Sequence, residues 1–134
     1  MKPDRAEVSD KELKRVIADF LDMGHVENIV AMFLREPRYY AWTGEILHDE
    51  RLSVRLGVMV LFEELQLVDP ENLHLAIASL AEVVRHGQPL YRGEAVSLLG
   101  VINTCDARYI IERALDDEDV HVREMAKLTL ADMI

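Results

Sequence analysis

The sequence predicts an all-α fold, a superhelical array of about eight helices in four antiparallel pairs, and three observations carry that prediction. A nine-residue turn recurs three times, at residues 47–55 (LHDERLSVR), 115–123 (LDDEDVHVR) and, more loosely, 84–92 (VRHGQPLYR). The first and last copies share five identities: Leu, Asp, Glu, Val and Arg. The flanks agree as well. Counted from each arginine, one position before lie Val54, Tyr91 and Val122; three after lie Val58, Ala95 and Ala126. Seven after lie Phe62, Leu99 and Leu130; ten after lie Leu65, Ile102 and Met133. Those offsets share one face of an α-helix. Arginines 37 and 31 residues apart fall within the repeat lengths of stacked helical hairpins. Finally, strand-like alternation, low-complexity segments and long linkers are all missing from the sequence.

The elements follow in order. Ser9 stands three residues before Glu12, the spacing of a capping box. Leu13, Val16, Ile17, Phe20 and Leu21 then form one apolar stripe, with Lys11, Lys14, Arg15, Asp19 and Asp22 on the other face. Gly24 ends this helix, and a second runs over about residues 26–35. Pro37 opens the third as its first helical residue, with Tyr39, Trp42, Thr43 and Ile46 on one side. Residues 52–67 are apolar nearly all round, the pattern of a helix covered on several sides. Asp69-Pro70 reads as an N-cap followed by proline, and the helix it starts runs to about Arg85. Pro89 opens the sixth helix, Asp106 is expected to cap the seventh and Asp119 the eighth.

The 134 residues suit a single domain, with residues 1–8 as a flexible N-terminal tail and 9–35 as a degenerate capping pair that lacks the arginine. The net charge of −10 repels a phosphate backbone over most of the surface, so nucleic acid is not an expected partner. A single cysteine permits no internal disulfide, which favours a reducing cytoplasm. The polar stretch MKPDRAEVSDKE is unlike a secretory signal, and no apolar run reaches membrane-spanning length.

The repeated turn resembles the HEAT-like repeat, particularly the variety described in phycobilisome lyases, where an acidic turn leads into a pattern like V-R-x-x-A-x-x-x-L-G. Residues 91–100 (YRGEAVSLLG) match it, as do residues 122–126 (VREMA), and Val54-Arg55 matches with Val58 in place of alanine. The resemblance covers residues 38–134 and implies a HEAT- or armadillo-like α-α superhelix used as a binding scaffold.

Arg55, Arg92 and Arg123 would sit in the first turn of a helix, where the macrodipole disfavours a cation. A residue repeated against that preference needs a compensating partner. The carbonyls ending the preceding helix and the turn acids Asp49 and Asp117 are the candidates, with anion binding as the alternative.

Enzymatic chemistry finds little support. Deoxyhypusine hydroxylases are built from similar repeats, and their His-Glu pairs hold two irons. Here the corresponding stretch is Arg92-Gly93-Glu94-Ala95, glycine cannot ligate, and no His-Glu dipeptide occurs. For a resemblance to HEAT-like DNA glycosylases, Trp42 and Asp49 would be the nominees, but Trp42 shares the stripe of Tyr39 and Ile46 and reads better as core. The five histidines, at 25, 48, 74, 86 and 121, share no helical i, i+4 spacing, so no zinc or iron set is expected. His48-Asp49 belongs to the repeated turn. Cys105 reads as a passive, semi-buried thiol, with a redox role as the sharper alternative. Asp116-Asp117-Glu118-Asp119 reads as a solvated turn plus a cap rather than a calcium loop. No cofactor is expected.

If the shared offsets face the core, then offsets one, four, five and eight face away from it. On that opposite face Leu56, Met59, Val60, Val96 and Leu128 are too apolar for a purely solvated surface, which makes them the candidate partner-binding residues. The function expected is a non-enzymatic protein-binding scaffold or adaptor using the face of its even-numbered helices. The alternatives are an accessory subunit or lyase-like protein handling a small cofactor, and a self-associating structural protein that forms a homodimer.

Overall fold

The computed structural model describes residues 8–133 and contains eight α-helices, with no strand among the described residues. The tail expected over residues 1–8 lies, apart from Val8, outside them. Helix α1 spans Asp10–Asp22 and starts with the capping box: the Glu12 amide donates to Ser9 Oγ at 3.1 Å, and the Ser9 amide donates to the Glu12 carboxylate at 3.4 Å. It ends before Gly24, whose φ of +84° is open to glycine without strain. Helix α2 spans Val26–Arg35. Pro37–Trp42 then forms a 3₁₀ stretch that runs into α3, Thr43–Leu47. Three residues per turn place Tyr39 above Trp42, with ring centroids 4.9 Å apart. Helix α4 spans Leu52–Val68; a second 3₁₀ stretch, Pro70–Ala76, leads into α5, Ile77–His86. Helices α6 (Pro89–Ile102), α7 (Cys105–Arg113) and α8 (Val120–Asp132) complete the chain.

Two of the expected caps differ. Thr104, not Asp106, caps α7: its Oγ1 accepts from the Ala107 amide at 3.1 Å, and Asp106 lies inside the first turn. The Asp69 side chain makes no cap bond. It is buried, and accepts from the Tyr40 hydroxyl at 2.9 Å and from the Asn72 side-chain amide at 3.1 Å. A buried carboxylate needs those donors more than the helix needs a cap. Burial and the neighbouring Asp69 push the Tyr40 phenol far above its ordinary value. Asp119 does cap α8, accepting from the amides of His121 and Val122.

Each helix touches its partner in sequence and its neighbours in one of two rows, α1, α3, α5, α7 and α2, α4, α6, α8. The buried side chains form one contiguous core between the rows. Of the twelve positions at the shared offsets, eleven are buried and Leu130 is half-buried. Glycines set the closest approaches. A Cβ on Gly44 of α3 would sit 2.5 Å from the Ser79 carbonyl oxygen of α5, and one on Gly57 of α4 would sit 2.9 Å from Leu21 Cβ of α1. Val16, expected in the stripe of α1, is exposed, whereas Ile17 and Leu21 are buried.

Candidate functional site

The three arginines occupy the fourth position of α4, α6 and α8. A helical side chain leans toward the N-terminus of its own helix, so each guanidinium reaches back over the turn that precedes it. Arg55 Nη1 donates to the carbonyls of Asp49 and Glu50, each at 2.9 Å. Arg92 Nη1 donates to the Gly87 carbonyl at 2.8 Å, and Arg123 Nη1 to the Asp117 carbonyl at 2.7 Å. The bonds fall in register, six residues back for Arg55 and Arg123 and five back for Arg55 and Arg92. The repeated turn is thus a repeated hydrogen bond, and it offsets the unfavourable dipole.

Two of the arginines also reach forward into the next repeat. Arg92 grips the Asp117 carboxylate with two donors, Nε at 3.0 Å and Nη2 at 2.8 Å. The middle turn offers Arg55 no acid, since His86-Gly87 stands where the others carry aspartate. Arg55 instead meets Glu94 of α6, with Nε 2.6 Å from Oε1 but poorly aligned for a hydrogen bond. Burial raises the Glu94 pKa, and the Arg55 charge opposes that rise. Burial also works against the Asp117 carboxylate, but the Arg92 bonds, the Asp119 amide and the Arg123 charge outweigh it, and its pKa is lowered.

Asp49, expected to pair with Arg55, is instead occupied by Arg51, whose Nε and Nη2 both lie 3.0 Å from its carboxylate and whose amide donates at 2.9 Å. The Arg51 hydrogen bond lowers the Asp49 pKa. The reason is the missing arginine of the first pair of helices. No earlier repeat supplies a forward-reaching guanidinium, so Arg51 fills the place and bridges to Asp19 of α1 at 3.0 Å.

The face turned away from the shared offsets is only partly as expected. Leu56, Val60 and Leu128 are exposed, at 58%, 43% and 60%, and Met59 is half-buried. Helix α4 is therefore not covered all round. Val96 is a correction, since it is 0% exposed. Gly93 and Gly100 flank it on the same side of α6. A Cβ on Gly93 would lie 3.3 Å from the His121 ring and the Met125 side chain, and one on Gly100 would collide with Thr129. Without side chains at those points α8 settles directly onto α6, and Val96 between them is buried. Two hollows remain on this face. A trough of about 530 Å³ lies between Met59 and Glu63 on α4 and Met125, Leu128 and Asp132 on α8, floored by Ser97 and Gly100 of α6. A furrow of about 340 Å³ runs between Val26 and Val30 of α2 and Val60 and Glu64 of α4.

The remaining candidates are brought to no common place. Trp42 is packed beneath Arg38 and Lys14, each 5.1 Å from its ring. Cys105 is exposed rather than semi-buried, because it opens α7 at the surface. No group of three or more histidine, cysteine, aspartate or glutamate side chains among the described residues is arranged to hold a metal ion. No helix among them is long and apolar enough to cross a membrane. Comparison with family models, with curated proteins and with solved structures found no match.

Proposed function

We propose that the protein is a non-enzymatic binding scaffold, a short HEAT-like solenoid that presents the face of its even-numbered helices to another protein. One observation carries the reading: Leu56, Val60 and Leu128 stay exposed on the side of α4 and α8 turned away from the shared core positions, which are buried or half-buried. Large apolar side chains gathered beside open hollows are a docking feature rather than a solvated surface. The arginine bonds support the scaffold part of this reading. Arg55 and Arg92 each reach the following repeat, at Glu94 and Asp117, and a row of helices held in register offers a continuous, rigid surface.

The test is affinity capture from the native cell with the protein and with its Val60→Lys/Leu128→Lys variant. Both positions are exposed, so the variant should keep its melting temperature and lose the captured protein. An unchanged set of captured proteins would place docking elsewhere.

A further inference from the structure

We propose that the occupant of this face is a cationic amphipathic helix, one that lays apolar side chains in the trough and sets lysine or arginine along its edges. The inference rests on the docking reading above and adds the chemistry of the partner. Its basis is the charge of the two hollows. Glu63 and Asp132 line the trough, and Glu27 and Glu64 line the furrow; no lysine or arginine lines either one. All four carboxylates are exposed, and none makes an ion pair among the described residues. The hollow between α5 and α7 differs in charge. Arg85 and Arg113 line the hollow between α5 and α7, and most other acids have a partner, as Glu45 has Lys14 at 2.8 Å. Two unpaired carboxylates at the trough and two at the furrow make a negative potential along this face that attracts a cationic partner and orients it.

The same charges weigh against a second copy of this chain, because its own acidic edge would meet another. The walls suit a helix of varied sequence. Met59 and Met125 are unbranched, polarisable side chains that adapt to whatever apolar group enters. The floor is low because Ser97 and Gly100 are small, so a helix would lie along α6 between the ridges of α4 and α8. Helix α6 has 14 residues, about 21 Å at 1.5 Å per residue, which sets the length of the segment it accommodates.

The probe is a synthetic helix of about 14 residues with leucine on one face and lysine on the other. Two controls accompany it, the same pattern with glutamate for lysine and a leucine/lysine peptide of scrambled pattern. Calorimetric titration should show the lysine helix binding at least tenfold more tightly than either control, and more weakly as salt rises. Glu63→Lys/Asp132→Lys changes two exposed side chains. It should weaken the lysine helix by about tenfold and tighten the glutamate helix. Equal binding of both helices would overturn the cationic preference and leave the docking reading standing. Equal binding of the scrambled peptide would reduce the effect to bulk charge and overturn the inference. Binding of neither helix would overturn the inference, and the capture experiment above then decides the docking reading.

Discussion

Arg92 is held at three points, two on the Asp117 carboxylate and one on the Gly87 carbonyl, whereas Arg123 makes a single bond, to the Asp117 carbonyl. Both partners of the Arg92 pair are largely buried, with side-chain exposures of 11% and 13%. Removing one leaves the other charged and unpaired. Arg92→Ala should therefore cost about 3 kcal/mol, and Arg123→Ala about 1 kcal/mol, measured as shifts in urea midpoint. Equal shifts would show that the forward reach of Arg92 contributes nothing. The same pair sets an acid limit. Asp117 titrates below its ordinary value of 3.8 in the folded state. Its contribution is present above 3.8 and is lost as the pH falls through the lower, folded value. Glu94, raised above its ordinary 4.5, runs the other way: it favours folding below 4.5 and loses that effect as the pH rises. Asp117→Asn keeps an oxygen for the Asp119 amide but removes the charge. The variant should be less stable at neutral pH and should lose less of its remaining stability on acidification below 3.8. A parallel pH profile in the two proteins would contradict the assignment.

At the scale of the helix, local chemistry fixed most boundaries. Ser9 with Glu12, Gly24, Pro37, Pro89 and Asp119 all mark ends that depend on neighbours within a few residues, and such signals are legible in a sequence. The two misplaced caps show where local reading fails. Thr104 and Asp106 are both good N-cap residues, and only the backbone path decides that the Ala107 amide points at the threonine. Thr104→Ala should therefore destabilise the fold by about 1 kcal/mol, and Asp106→Ala should leave the melting temperature nearly unchanged. The reverse order would restore the aspartate as the cap. Asp69 was diverted by Tyr40, 29 residues away in sequence, and no local pattern contains that distance.

In the molecule as a whole, the repeat offsets placed the core because each position faces the same neighbours in every unit. The face opposite was harder to read, since its exposure depends on how closely successive units approach. Val96 has the helical phase of Met59, yet it is fully buried where Met59 is half-buried. The signal that distinguishes them is the pair Gly93 and Gly100, which share its side of α6 and let α8 come close; α4 carries large residues at the equivalent positions, Leu56 and Glu63. Helix phase tells which side a residue is on, and the size of its neighbours tells whether that side stays open. A partner docked, as proposed, on the open part of this face would leave the hollow between α5 and α7 untouched. Methyl-resolved NMR of the protein titrated with the leucine/lysine helix tests it directly. Shifts are expected at Met59, Val60, Met125 and Leu128, with Val84 and Ile110 of the α5–α7 hollow unmoved. Shifts concentrated at Val84 and Ile110, with Leu128 unmoved, would contradict the proposal.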